Sequence, residues 1–212
     1  MPTCLVIDTA TAACSVALLD GDAILSEHHE IVGRGHAERL MPMIAALPGG
    51  GRADSILVDC GPGSFTGVRV GIAAARALGL GWSIPVRGYS SMALIAASVA
   101  EDSADAGSIA VALIGGHGEL FVQRFSTAPL APLTALASLR PDGAAELIAE
   151  PHVYGSGAAA LVAARGSGTA HEALPIALHA GLLPDQLATL PPHPIYGRDA
   201  DATVAAATAA AR

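Results

Sequence analysis

Read from its N-terminus, the chain alternates short apolar runs with clusters of small and polar residues. Residues 3–9 (TCLVIDT) form a mostly apolar run suited to a central strand, and 14–20 (CSVALLD) follow after a group of small residues. Gly21-Asp22 signals a tight turn into 23–32 (AILSEHHEIV), so the three segments predict an antiparallel meander. Leu40, Met43, Ile44 and Leu47 then recur at helical spacing within 36–47, and the glycine run 49–51 ends that element. Pro42 is read as falling in the first turns of this helix, where proline costs least. A short apolar strand (55–60, SILVDC), the loop GPGSFTG and a long helical run to Trp82 come next. After Pro85 a short strand, a serine pair able to cap (Ser90, Ser91) and a helix over 92–100 complete one lobe.

The second half is less regular. Residues 108–115 and 119–126 predict a hairpin around Gly115, Gly116 and Gly118. A helix near 144–150, a strand at 152–157 and alanine-rich helices follow. Pro191, Pro192 and Pro194 predict an extended segment up to Tyr196, and residues 202–212 read either as a short helix or as a tail. The expected organisation is an N-terminal lobe over 1–100 and a smaller C-terminal lobe over 101–212.

Composition narrows the function. With 52% apolar residues in 212, the chain is long enough for a large core, and with 3% aromatics that core must be aliphatic. The net charge is −8 and every basic residue is Arg, which argues against a surface that holds a nucleic-acid backbone unaided. Lacking Lys, the chain has no Walker lysine, Schiff base or lysine phosphate clamp. Cys4, Cys14 and Cys60 are odd in number and lie in apolar runs, as buried free thiols of a reducing compartment do. No signal peptide and no membrane span is expected, so the expected location is cytoplasmic.

Asp8 ends the first strand beside a small, hydroxylated turn, and with Thr9, Thr11 and Ser15 it has the makings of a phosphate hairpin. The turn has no Gly, so either a weak nucleotide site or a turn that satisfies its own backbone fits. GPGSFTG fails the Walker spacing, because Thr66 and Gly67 stand where Gly and Lys are needed, and it reads as a turn with a cap by Ser64 or Thr66. Gly67, Gly71, Ala75 and Gly79 recur every four residues, a smooth stripe that something must pack against. That partner is either internal or a second protein docking there and on the Leu40–Leu47 stripe, with Arg69 and Arg76 at the rim. His36 has Leu40 where a helical metal pair needs a second His, and no metal site is expected.

Taken in order, IDTATAACSVALLD, GHAERLMPMI, DCGPGSFTGVRVGIAAARALGLGWSIPVRGYSSMALIA, GGHGELFVQRF, YGSGA and PIYGRDAD resemble the TsaB (YeaZ) family over nearly the whole chain. The resemblance implies an α/β, actin-like (acetate-kinase/Hsp70, ribonuclease H-like) fold of two related lobes. It implies a non-catalytic subunit of the machinery that installs threonylcarbamoyl on adenosine 37 of tRNA, binding and activating the larger paralogue TsaD. Its interface would map onto residues 36–47 and 67–82, including His36, Leu40, Met43, Ile44, Leu47, Gly67, Arg69, Gly71, Ala75, Arg76 and Gly79. A TsaE-like ATPase would join a larger complex, tRNA would be held only indirectly, and the isolated protein could form a homodimer. ATP or ADP would bind only weakly or at a subunit junction. The alternatives are a nucleotide-binding ATPase or kinase-like protein using Asp8 and a metalloprotease-like (glycoprotease) homologue. Two departures stand out: GGHGE lacks the Arg of the D-A-R-R-G-E common in relatives, and Gly197 stands where Leu is common.

Overall fold

The computed structural model describes residues 2–21, 23–100, 102–103 and 107–197; the expected helix or tail at 202–212 and Arg198 lie outside the described residues. The predicted meander forms: β1 (Thr3–Asp8), β2 (Ala13–Asp20) and β3 (Ala23–Ile31) are antiparallel neighbours. α1 (His36–Ala46) leads through a 3-10 turn at Pro48–Gly51 to β4 (Ser55–Asp59), which pairs parallel with β1. All three glycines 49–51 have positive φ in that turn, a conformation other residues rarely adopt. α2 (Phe65–Trp82) and β5 (Val86–Tyr89) complete a five-stranded sheet of order β3-β2-β1-β4-β5.

The same plan is then repeated. After α3 (Ser91–Ala100), β6 (Ser108–Ile114), β7 (Leu120–Thr127) and β8 (Leu130–Pro132) form a second antiparallel meander, with β9 (Ala137–Leu139) also on β7. α4 (Pro141–Leu147), β10 (His152–Tyr154), α5 (Ala158–Arg165) and β11 (Thr169–His171) follow, β10 lying parallel to both β6 and β11. Read from the meander edge, β8-β7-β6-β10-β11 matches β3-β2-β1-β4-β5 in order and sense. The two lobes therefore repeat one topology, as expected of two related lobes.

Three cores divide the layers. Leu40, Met43 and Ile44 of α1 and Val68, Ile72 and Ala75 of α2 pack on Leu5, Ile7, Val16 and Val58 of the first sheet. The other face of that sheet meets α3, and α3 in turn meets Ile109, Val111 and Phe125 of the second sheet. Residues 91–97 are buried on every side, as a helix clamped between two sheets must be. α5 and the α4 region cover the outer face of the second sheet through Leu161, Ala144 and Ile148.

Three expectations need correction. Pro42 lies in the interior of α1, at its seventh residue, on an exposed side. The helix expected near 144–150 runs earlier, from Pro141, because a proline is pre-shaped for the first helical position. The last described segment does not stay with the second lobe. Ala177 N–H donates to Ser15 Oγ (2.9 Å), Leu190 bridges Gly88, and Ile195 N–H donates to the Cys60 carbonyl (2.7 Å). The division at residue 100 thus describes strand order, while residues 177–195 form a strap across the first lobe.

Glycines set the seat of α2. A Cβ at Gly67 would collide with the Thr9 carbonyl oxygen and one at Gly71 with Thr9 Oγ1, whereas one at Gly81 meets nothing. Gly67→Ala should therefore lower stability by at least about 2 kcal/mol through overpacking, and Gly81→Ala should raise it by about 0.5 kcal/mol through helix propensity. Urea denaturation of the two variants checks both signs.

Candidate functional site

The β1–β2 hairpin carries Asp8, Thr9, Thr11 and Ser15, the residues the sequence offers as a phosphate hairpin, and its side chains are turned on their own surroundings. Asp8 Oδ1 accepts from Ala10 N–H (3.4 Å), Thr11 Oγ1 from Ala13 N–H (3.3 Å) and Ser15 Oγ from Ala177 N–H. Thr9 Oγ1 donates to the Gly67 carbonyl (2.7 Å). The GPGSFTG loop closes on the same turn: Ser64 N–H donates to the Ala10 carbonyl (2.6 Å), and a Cβ at Gly63 would overlap that carbonyl. Ser64 also caps α2, accepting from Gly67 N–H, as expected. In front of the hairpin a hollow of about 300 Å³ is lined by Ala10–Ala12, Gly33, Gly63, Ser64 and, from the second lobe, Leu113, Ile114, Ser156 and Leu174. Among the described residues, those that line it carry no charge.

Behind the hairpin lies a buried carboxyl pair. Asp8 and Asp59 end the adjacent parallel strands β1 and β4, and both are shut off from water. Tyr89 Oη donates to Asp8 Oδ2 (2.8 Å); Ser91 Oγ (2.6 Å) and Gly61 N–H (2.7 Å) donate to Asp59. Burial raises the Asp8 carboxyl well above the usual range, and the neighbouring Asp59 charge raises it further. Burial also pushes Asp59 up, to about 6, although hydrogen bonds from Asp8, Ser91 and Gly61 lower it. Asp8 thus keeps its proton and donates it to the Asp59 carboxylate. Burial holds the Cys14 and Cys60 thiols protonated as well, at about 11 and about 12. With these donors aimed at the pair itself, the arrangement is a structural lock on the strand ends.

The helical stripes point inward. Leu40, Met43, Ile44, Leu47, Gly67, Gly71, Ala75 and Gly79 are all buried on the chain's own first sheet, so none can present a face to a partner. The glycine stripe has an internal cause: it lets α2 approach Thr9, and Gly79 lies against Val86. His36 is also internal, its Nε2 shared between the Thr11 (2.8 Å) and Ala13 (3.2 Å) carbonyls, which pins the hairpin to α1. Arg69 turns to the strap, donating to Tyr196 Oη (2.8 Å) with its guanidinium over the Phe65 ring (3.3 Å). Of the expected interface residues Arg76 alone is exposed.

The exposed side of the same helices carries a different stripe. Ala37, Met41 and Ala45 on α1, and Ala73, Ala77 and Leu80 on α2, face away from the sheet. Met41 is 46% and Leu80 85% exposed, an unusual setting for large apolar side chains amid alanines. A cleft of about 590 Å³ opens beside the N-terminus of α2, with Phe65, Arg69, His117, Glu119, Phe121 and Tyr196 in its walls. Sequence reasoning missed Asp59 as the partner of Asp8, although each carboxylate closes an apolar run of the same kind. It also missed the outer stripe, whose spacing (73, 77, 80) is helical but whose alanines carry little signal by themselves.

The chain is similar to several known proteins. The family model for TsaD, described as tRNA N6-adenosine threonylcarbamoyltransferase, matches residues 27–129. The tRNA threonylcarbamoyladenosine biosynthesis protein TsaB of Escherichia coli K12 is 42% identical over 97 residues, covering 43% of this chain and 42% of that protein. The chain spans about half the length of the curated relatives it matches. Two solved structures from Pseudomonas aeruginosa share its fold at 28% identity. One, described as an uncharacterized protein with similarity to peptidase YEAZ, has a TM-score of 0.77 over 93% of this chain and 100% of that one. The other, YeaZ, has a TM-score of 0.74 over 92% and 100%.

The carboxyl pair makes stability depend on pH. Both groups bind protons more tightly folded than unfolded, so their contribution is complete below about pH 4 and is lost as pH rises through 6 and beyond. Asp8→Asn keeps a donor for Asp59 with no proton to lose. Its unfolding free energy should fall less between pH 5 and pH 9 than that of the wild type; parallel profiles in urea titrations would show that the pair is not proton-sharing.

Proposed function

We propose that the chain, which is similar to TsaB and YeaZ proteins, is a member of that family and serves tRNA threonylcarbamoyladenosine biosynthesis as a non-catalytic subunit that binds and activates a TsaD-like paralogue. The observation that carries this reading is the outward face of α1 and α2, where Met41 and Leu80 stand exposed among Ala37, Ala45, Ala73 and Ala77. Small residues let a second pair of helices approach closely, and the two exposed apolar side chains give it something to bury. Arg76, exposed beside Ala77, supplies a charged rim.

The closed hairpin favours the same reading over a kinase or ATPase. Asp8 bonds with Tyr89 and Asp59, Thr9 with Gly67 and Ser15 with Ala177, so binding a metal-nucleotide there would break contacts that hold the lobe together. A metalloprotease-like reading needs a ligand cluster around His36, and that ring is already bonded to two carbonyls. The net charge of −8 leaves tRNA to the partner. Copies of the isolated chain would pair through the same face, in competition with the paralogue. A TsaE-like ATPase would join through the heterodimer.

Leu80→Arg and Ala77→Glu change exposed positions and should leave the melting temperature within about 2 °C of the wild type. Each should lower co-purification with the paralogue at least tenfold and reduce threonylcarbamoyladenosine formation in a reconstituted reaction. Leu182→Arg, on an exposed turn elsewhere, is the control. Undiminished complex formation by both variants would sink the assignment of this face.

A further inference from the structure

At the edge of the second sheet two imidazoles face each other. His152 lies on β10 and His171 on β11; Tyr154 is the register partner of His171, and His152 stands two residues before Tyr154, so all three side chains share one face. His152 Nδ1 and His171 Nε2 are 3.0 Å apart, with ring centroids 5.3 Å apart. The Tyr154 ring lies flat on His171 at 4.6 Å and 14°, and its hydroxyl is bonded to Ser103 Oγ (2.9 Å) just beyond α3. The His171 ring is therefore held in place from behind, while both imidazoles stay partly open to water.

We propose that His152 and His171 form a binding site for a divalent transition-metal ion of the zinc class. At present one facing nitrogen carries a hydrogen and the other accepts it. Moving that hydrogen to the far nitrogen of the same ring changes the tautomer, releases no net proton and leaves both facing nitrogens with a lone pair. Zinc binds imidazole nitrogen at about 2.0–2.1 Å, which at a tetrahedral angle separates two such nitrogens by about 3.3 Å. The pair is within a few tenths of an ångström of that spacing, and turning both rings so that their lone pairs converge beside the line between the nitrogens brings them onto one ion.

Two neutral nitrogen donors select zinc, nickel, copper or cobalt over magnesium and calcium, which take oxygen ligands. Among the described residues no group of three or more His, Cys, Asp or Glu side chains could hold a metal, so water completes the coordination. The site joins β10 to β11, a three-residue edge strand whose first two residues are exposed. An ion held there is a clip on the β11 edge of the second sheet.

Zinc chloride titrated into the full chain, followed by long-range proton–nitrogen spectra of the eight histidines, tests this directly. The His152 Nδ1 and His171 Nε2 resonances should shift together and saturate at one equivalent, ahead of the other six rings. Calorimetry should give a zinc affinity at least tenfold weaker in His171→Ala and in His152→Ala, with magnesium silent for the wild type. The proposal is overturned if neither ring responds, if all the histidines respond alike, or if both variants bind zinc as tightly as the wild type.

Discussion

The architecture of the first lobe depends on how close one helix comes to one turn. Gly63, Gly67 and Gly71 bring the main chain of α2 and its leading loop onto Thr9 and Ala10, and no larger residue fits at any of the three positions. Glycine inside a helix costs about 1 kcal/mol relative to alanine, and that cost is offset by the close packing it permits and by the Thr9–Gly67 and Ser64–Ala10 hydrogen bonds. The approach has two results. It occupies the hairpin, and it rotates α2 so that Ala73, Ala77 and Leu80 are left on the outside. Closure of the β1–β2 hairpin and exposure of the alanine-rich outer face are two sides of the same geometry.

Much of the fold was legible in the chain because it rests on local alternation. The meander, the helix over 36–46, the long helix after GPGSFTG and the 108–126 hairpin all carry period-two or helical patterns strong enough to read directly. What was not legible depends on contacts between distant residues. The strap from Ala177 to Ile195 is tied to the first lobe by bonds to Ser15, Gly88 and Cys60, and nothing in its own proline-rich sequence names those partners. Pro42 misled for a similar reason: on an exposed side of α1 a proline is tolerated where pattern alone would exclude it.

The candidate site shows the same division. Helical spacing correctly grouped Leu40, Met43, Ile44 and Leu47 with the glycine stripe, but periodicity identifies a buried face without saying what buries it. The answer came from the sheet: Ile7 and Val58 lie under Gly71, and Val86 under Gly79. The alanine-rich opposite face gives no hydrophobic signal of the usual kind, so exposure of Met41 and Leu80 could be seen only in three dimensions. Asp8 stands out in the sequence for its place at a strand end, yet its chemistry is decided by Asp59 and Tyr89, which lie 51 and 81 residues further along.

The strap has a bearing on how the molecule comes into being. As the chain is synthesised, the first five strands emerge long before Leu190, yet Gly88 on the outermost of them receives its neighbour only from that late residue. During the interval β5 is an unpaired border of the kind that recruits foreign strands. Its brevity, four residues with Arg87 facing water, limits that hazard until the ribosome has delivered the piece that seals it.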